Sequence, residues 1–573
     1  MPSDSRPRSP LLWPALVAAA AAAVHLAVAV RGDRFVATAG EARLAAATFA
    51  ARGTELGDIA LPASDRFAVR QFAVMETLLP TGNVPVVDAA RCAALAFGFL
   101  SVVLLWPVLR ALGAGPVPVA SAAGLIGVLP PVVTLHAGIT TAAPATTWLV
   151  AAAALAAVAK RRGAPAAVAA GLAALTAPLA AAALLALAAH LVHDRVLGGR
   201  LPAAARLPIT VVTGATAVAV AATGAGNGTL AGIGGPVVGL GTTLTMVVAG
   251  VVLAWLAWSQ HPELRPALSP TVLLLAVAVV PGAARSAALL LVLPFLAVVF
   301  VLLAEPVVAG LPEARRPVAT ALPLTALALA AGVGLLAVVN VAPTPPTDLT
   351  GWVSSEIDPN AVIRADPLDR AELSAGGIPA ERLRDLAEPA RPGELLMVTD
   401  RPGTGAADAA APRCVAIATL ATAPRGAGGA PTAVCPAASL EPATVVAEQA
   451  ARARFGTALT RNRSLELAPA AAAALQAGLV DPRVVLVLAD LASPRRLAVD
   501  DFPVEPLEPP YALRRHVLLS AVDGLPASAG PQQQVRTWFA AQQSPFVPNS
   551  IEVRGDALLI GYPAPTPTGL IAG

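Results

Sequence analysis

Long apolar runs dominate the chain up to Val341, and short polar segments separate them. The first run, Leu11 to Val30, follows Arg6 and Arg8 and is about twenty residues long, which is enough to span a bilayer. A signal peptide has a similar start, but further apolar runs follow here, so we predict an uncleaved first helix. The other spans are predicted near residues 90–111, 117–135, 140–159, 164–177, 179–193, 207–224, 237–258, 267–281, 286–306 and 317–341.

The distribution of basic residues decides between ten and eleven spans. Pro178 marks either a turn between two spans, which gives eleven, or a kink within one, which gives ten. In the arrangement with eleven spans, the cytoplasmic segments contain Arg6, Arg8, Arg110, Lys160, Arg161, Arg162, Arg195, Arg200, Arg206, Arg265, Arg315 and Arg316. Among the short outer loops, one contains a cation, Arg285. This positive-inside pattern predicts a multi-pass protein of the plasma (inner) membrane, with its N-terminus in the cytoplasm and everything after about Ala342 outside.

The first outer segment, residues 31–88, is longer and more charged than the other loops. Apolar residues recur at helical spacing in Ala42–Ala51 and in Phe67–Leu79. We therefore expect two amphipathic helices that lie on the membrane surface.

After the proline-rich linker that ends at Pro346, short apolar runs alternate with helical patterns. The predicted strands are Ala361–Ala365, Leu395–Thr399, Cys414–Thr419, His516–Ala521, Ser550–Arg554 and Ala557–Gly561, and the predicted helices are Pro442–Arg454, Ala468–Gly478, Pro482–Leu491 and Gln533–Gln543. The predicted fold is thus a polytopic α-helical membrane domain of about eleven transmembrane helices, residues 1–341, followed by an extracytoplasmic α/β domain, residues 342–573.

The amino-acid composition argues against several classes of function. The chain is 56% hydrophobic and 13% charged, with a mean hydropathy of +0.70, whereas about a quarter of a soluble domain is charged. The basic residues are scattered, which argues against a nucleic-acid partner. The spans hold almost no ionisable groups, which argues against ion-coupled transport. We expect His25 and His136, near the outer ends of two spans, to be hydrogen-bonded structural residues.

The three cysteines are too few for a zinc cluster, and we predict no metal site. Cys92 lies within a span and is expected to be a buried thiol. Cys414 and Cys435 lie in the outer domain, where a disulfide between them would close a loop of about twenty residues and contribute about 3 kcal/mol.

Four short segments are similar to sequences of the GT-C superfamily, the integral-membrane glycosyltransferases. Gly40-Glu41-Ala42-Arg43 stands where members carry Asp-Glu-Ala, with Gly40 replacing the first acid. Asp88-Ala89-Ala90-Arg91 resembles their entry into the second span, and Gly171 to Leu179 resembles a Gly-Leu…Leu-Thr-Lys-Pro segment in which Ala177 replaces the lysine. Trp352 to Asp366 is similar to the start of the outer domain in actinobacterial members.

The resemblance implies a cell-envelope glycosyltransferase that uses a polyprenyl-phosphate sugar as co-substrate at the outer membrane face. Its partners would be membrane lipid, this donor, and an envelope glycan, lipid or protein as acceptor; no cofactor is implied with certainty, and a need for divalent metal stays open. Such a reaction needs a carboxylate base, for which Glu41 is the first candidate and Asp33 and Glu76 are reserves. It also needs cations for the departing lipid phosphate, and the candidates are Arg70, Arg91 and Arg285.

Simpler interpretations exist for the same residues. Thr38 to Glu41 fits a capping box, in which Glu41 binds the start of its own helix. Arg91 fits a helix anchor whose side chain extends toward the membrane surface. Aromatic residues make up 4% of the chain, fewer than a sugar site with aromatic platforms suggests. The alternative function is therefore a non-catalytic membrane scaffold of the same architecture that binds a glycan or an envelope protein.

Overall fold

The computed structural model describes residues 12–30, 39–53, 59, 61, 63–79, 85–128, 130–158, 164–196, 240–260, 265–279, 284–310, 349–389, 391, 393–399, 418–420, 432–436, 442–505, 508–509 and 512–571. The described residues up to Gly310 form one compact unit, and those from Leu349 form a second. The predicted spans at 207–224 and 317–341 lie outside these residues, as do Asp33 and Cys414.

The first unit is helical throughout its described part. Its helices are α1 Leu12–Val30, α2 Ala39–Ala51, α3 Ala63–Leu78, α4 Val86–Ala111, α5 Pro116–Val128, α6 Pro130–Ala137, α7 Ala142–Val158, α8 Ala164–Thr176, α9 Pro178–Val196, α10 Leu240–Gln260, α11 Arg265–Val279 and α12 Ala284–Ala309. In α4 and in α12, stretches of 26 and 22 residues are long and apolar enough to cross a membrane, and the other apolar stretches are shorter. The predicted helical domain is confirmed, while the number of spans stays a prediction.

Two helices of the first unit begin at prolines that lie within or next to predicted spans. The run predicted as one span near 117–135 forms two helices, α5 and α6, with Pro130 and Pro131 at the start of the second. A proline has no N–H for the helix ladder and clashes with the preceding turn. Because residue 129 between the two helices lies outside the described residues, whether this run forms one span stays a prediction. Pro178 likewise begins α9, and α8 ends at Thr176, so this proline separates two helices as predicted.

Helices α2 and α3, which we call the cap, occupy the first predicted outer segment. Both were predicted, and part of their apolar surface packs on protein, whereas Val74 and Leu78 of α3 are exposed. Their position on a membrane surface stays a prediction. Leu44 and Phe72 are buried, and the Phe72 ring meets Phe97 of α4 edge to face at 5.5 Å. Gln71 fixes α3 further, since it accepts from Trp148 Nε1 at 2.7 Å and donates to Thr176 Oγ1 at 2.8 Å. The cap is therefore part of the protein core.

The second unit combines two sheets with helices. Its elements are α13 Leu349–Glu356, β1 Ile363–Ala365, α14 Pro367–Ala375, β2 Leu383–Asp385, β3 Leu395–Thr399, β4 Ala418–Leu420, β5 Thr432–Pro436, α15 Pro442–Leu459, β6 Leu465–Leu467, α16 Pro469–Gln476, α17 Pro482–Leu491, β7 Leu497–Asp501, β8 His516–Val522, β9 Leu525–Pro526, α18 Pro531–Ala540, β10 Ser550–Arg554 and β11 Ala557–Gly561. The strand orders are β2-β1-β3-β5-β4 and β10-β11-β8-β7-β6, with β9 paired to β8. Strand β1 is parallel to β2 and β3, and β6 is parallel to β7. The predicted α/β character is confirmed.

Helix α15 crosses α16 at Gly456. A Cβ built on Gly456 would lie 2.2 Å from the carbonyl oxygen of Leu475, a contact that backbone atoms cannot relieve by a side-chain rotation. Leu475 is itself part of the core between the helices and the second sheet. The crossing therefore requires glycine at this position.

The variant Gly456→Ala should lower the stability of the second unit by about 1–3 kcal/mol, because the added methyl group forces the two helices apart. Thermal unfolding of the purified chain measures the loss. The matched control is Gly530→Ala, where no atom lies within 4 Å of the built Cβ and stability should not fall. Equal melting temperatures for the two variants would contradict the packing described here.

Candidate functional site

The buried ionisable side chains described in the first unit gather where the cap meets the helix ends around it. They are His25, Glu41, Asp65, Glu76, Arg91 and His136. Removing such groups from water costs free energy unless partners compensate. An otherwise apolar helical unit that keeps six of them in one region is a candidate for a functional site at that region.

Glu41 lies in the first turn of α2, and its side chain is 2% exposed. Its Oε1 accepts the backbone N–H of Ile139 at 3.1 Å. Ile139 lies in the turn between α6 and α7, so the carboxylate connects the cap to a segment 98 positions away in the sequence. The contact differs from a capping box, in which Glu41 would bind the start of its own helix. Thr38, the other member of that motif, lies outside the described residues.

Two histidines lie close to this turn. His25 Nε2 and His136 Nδ1 are 3.1 Å apart, and the two rings are stacked with their centroids at 5.3 Å. His25 Nδ1 also lies 2.8 Å from the carbonyl oxygen of Ala21. A Cβ built on Gly98 of α4 would come within 2.5 Å of the His136 ring, so glycine makes room for the pair. The structure thus places the two histidines in a mutual hydrogen-bonding arrangement.

Arg91 is 3% exposed and lies on α4, seven residues before Gly98. Seven residues are about two helical turns, so Arg91 and Gly98 share one face of α4 and lie about 10 Å apart along its axis. Arg91 Nη1 lies 3.6 Å from Asp88 Oδ1. A buried guanidinium does not extend toward a membrane surface, so the interpretation of Arg91 as an anchor of that kind was wrong.

Glu76, near the end of α3, is buried and pairs with Arg52 at 3.3 Å. Burial raises the pKa of the Glu76 carboxyl to about 7, and Arg52 opposes the shift without cancelling it. A carboxyl that titrates near neutral pH is suited to proton transfer.

The remaining candidates from the sequence are Arg70, Arg285 and the two cysteines of the predicted disulfide. Arg70 is exposed on α3, whereas Arg285 is half-buried at the start of α12. The Nε of Arg285 is buried and has no hydrogen-bond partner among the described residues. In the second unit Cys435 is buried in β5, and because Cys414 is outside the described residues their disulfide stays a prediction.

Sequence reasoning missed the polar residues that position the cap. Gln71 lies in the apolar stripe of α3, one turn after Phe67, and a lone polar residue in such a stripe was a signal that it has a partner. Thr140 follows the Glu41 anchor Ile139, and its buried hydroxyl has no hydrogen-bond partner in the described part of the chain. Nothing in the sequence distinguishes Thr140 from its neighbour Thr141.

Comparison with known proteins adds one structural likeness. No protein-family model matches the chain, and no curated protein matches it. The fold is similar to the crystal structure of ArnT from Cupriavidus metallidurans in the apo state, with a TM-score of 0.45 and 15% sequence identity. The match covers 74% of this chain and 98% of that one. A likeness of this degree does not transfer an activity.

The raised pKa of Glu76 predicts a pH-dependent contribution to stability. Because the folded-state pKa lies above the ordinary value of 4.5, the stabilisation belongs to the protonated form: it is complete below about pH 4.5 and is lost as the pH rises through about 7. The variant Glu76→Gln should therefore gain stability relative to the wild type between about pH 5 and pH 8. Melting temperatures of both proteins across this range give the measurement, and two parallel profiles would refute the shift.

Proposed function

We propose that the first unit is a GT-C-type membrane glycosyltransferase that transfers a sugar from a polyprenyl-phosphate donor at the outer face of the inner membrane. The observation that supports it is the burial of two oppositely charged groups in an apolar unit, Glu41 on α2 of the cap and Arg91 on α4. Apolar side chains of equal size would stabilise such a unit at least as well as buried charged groups do. The presence of these groups therefore favours a role in chemistry.

Glu41 is the proposed general base. The acceptor hydroxyl attacks the anomeric carbon, a new carbon–oxygen bond forms, and the bond from that carbon to the lipid phosphate breaks. The hydroxyl proton passes to the carboxylate. The N–H of Ile139 holds Oε1 at 3.1 Å and thereby fixes the orientation of the carboxylate. Asp33 and Glu76 stay as reserves for this role.

Arginines are the proposed partners of the departing lipid phosphate, whose charge increases as the sugar leaves. Arg91 is the first of them because it lies beside the cap on the same face of α4 as Gly98. Arg285 has a buried, unpartnered Nε in the described structure, which a phosphate oxygen would satisfy. Arg70 is exposed and is the weakest of the three assignments.

The distribution of cations along the chain supports the proposed orientation, with the N-terminus in the cytoplasm and the second unit outside. The acceptor in this proposal is an envelope glycan, lipid or protein. Actinobacterial members of the superfamily provide the sequence resemblance at the start of the second unit, so we propose a related cell-envelope role.

A second candidate function is a non-catalytic membrane scaffold whose second unit binds an envelope glycan or protein. The observation that favours it is the burial of Glu41, which is 2% exposed and engages a backbone amide. A carboxylate in this setting also serves as a structural link between the cap and the turn at Ile139.

The two functions differ in the lipid that the protein retains. Wild-type protein and the variant with Arg70→Ala, Arg91→Ala and Arg285→Ala are purified, and their lipids are identified by mass spectrometry. We expect the wild type to retain a polyprenyl-phosphate sugar and the variant to lose most of it, because the phosphate has lost its cations. The single variant Arg285→Ala should show a partial loss.

The matched control is Arg110→Ala. Arg110 is exposed and lies at the other end of α4 from Arg91, about 28 Å along the helix. This variant should keep the lipid. Bulk phospholipid alone in every preparation would favour the scaffold, and equal retention by the wild type and the triple variant would remove the arginine assignment.

A further inference from the structure

A cluster of carboxylates around one histidine lies in the second unit. Glu356 ends α13, Glu505 follows β7, and His516 begins β8. His516 Nδ1 lies 3.7 Å from Glu505 Oε1, and His516 Nε2 lies 3.4 Å from Glu356 Oε2. The three side chains come from positions up to 160 residues apart, so their meeting is a product of the fold.

The cluster has the dimensions of a metal site. One ligand atom from each of the three residues lies within 4.8 Å of the other two. Some point then lies within about 2.8 Å of all three atoms, and a shift of about 0.7 Å per ligand reaches the usual Zn–N and Zn–O distances.

The histidine supplies an observation independent of the carboxylates. His516 is 2% exposed, and its Nδ1, which faces Glu505, has no hydrogen-bond partner within the described structure. A Cβ on Gly561 would lie 2.7 Å from His516 Cδ2, so the neighbouring strand β11 holds the ring closely. A buried ring nitrogen 3.7 Å from a carboxylate oxygen, without a bond between them, leaves both atoms available to a bridging metal ion.

Local charge also favours a cation. Arg515 lies 3.0 Å from Glu356 and is in close contact with Glu508. Glu505 lies beside His516 rather than beside Arg515, so the acidic side chains in contact with these two residues outnumber the one guanidinium, and a divalent ion would reduce that negative excess. Glu505 is 25% exposed at its side chain, which leaves a path to solvent for the ion and for water ligands.

We propose that Glu356, Glu505 and His516 bind one divalent transition-metal ion. An imidazole with two carboxylates suits Zn²⁺ or Mn²⁺, whereas Ca²⁺ and Mg²⁺ prefer oxygen ligands alone. The ion would join α13 to the six-stranded sheet, and its binding would stabilise the second unit.

Metal binding by the purified full-length chain tests the site. After chelator treatment, the protein is dialysed against micromolar Zn²⁺, and bound zinc per chain is measured by mass spectrometry of the element. Glu505→Gln removes one ligand with little change of shape, and Glu466→Gln, an exposed acid on β6, is the matched control. The wild type and Glu466→Gln should bind one more equivalent than Glu505→Gln, whose affinity should fall at least about tenfold.

Thermal unfolding gives a second readout. Zn²⁺ should raise the melting temperature of the wild type and of Glu466→Gln but not that of Glu505→Gln. His516→Gln is the second ligand variant and should match Glu505→Gln in both measurements, which guards against a folding defect peculiar to one substitution. Equal zinc content and equal thermal shifts in the wild type and both ligand variants would overturn the proposal.

Discussion

The hydrogen bond from the Ile139 amide to Glu41 is the interaction on which the arrangement of the first unit depends. A carboxylate that is 2% exposed in an apolar unit is tolerated where a donor meets it. This donor belongs to the turn between α6 and α7, so the cap is held at one place over the helix ends. The same placement packs α2 against α4, the helix that carries Arg91 and whose Gly98 makes room for the histidine pair.

In the second unit, too, buried charged groups are met by partners from other segments. Arg515 is buried, and its partners Glu356 and Glu508 come from two different segments. Arg483 and Asp481 form another buried pair at 2.8 Å, and Arg483 also donates to the carbonyl oxygen of Pro563 at 2.7 Å. Removing one member of such a pair leaves an uncompensated charge, which costs more stability than the pair itself contributes. Buried charges thus connect distant elements in both units.

Elements with a strong local pattern were predictable from the sequence. The helices of the first unit follow from apolar runs. Strands β10 and β11 were predicted with their observed bounds, because an alternating run and a short apolar run flank a two-residue turn at Gly555, where φ is +61°. Strands β2 and β6 have three residues each, too few to show a period. They depend on tertiary pairing, which a local pattern does not encode.

The candidate site was predictable in its residue types and only partly in its contacts. Glu41 and Arg91, both chosen from the sequence, are buried, and their roles stay predictions. The bond that Glu41 accepts from the Ile139 backbone amide has no sequence signature. The packing of Leu44 and Phe72 on protein was not predicted, because an amphipathic face of given width fits a membrane surface and a protein surface equally well. The cluster around His516 joins three segments that are far apart in sequence, so spacing could not reveal it.

The most direct test of the proposed chemistry is the rate at which the protein releases polyprenyl phosphate from a polyprenyl-phosphate sugar in the presence of envelope acceptors. Wild-type protein is compared with Glu41→Gln, and Glu466→Gln in the second unit is the control. If Glu41 is the base, the Glu41→Gln variant should be slower by about 100-fold or more while the control keeps the wild-type rate. Equal rates for the wild type and Glu41→Gln, or no release by the wild type, would contradict the assignment.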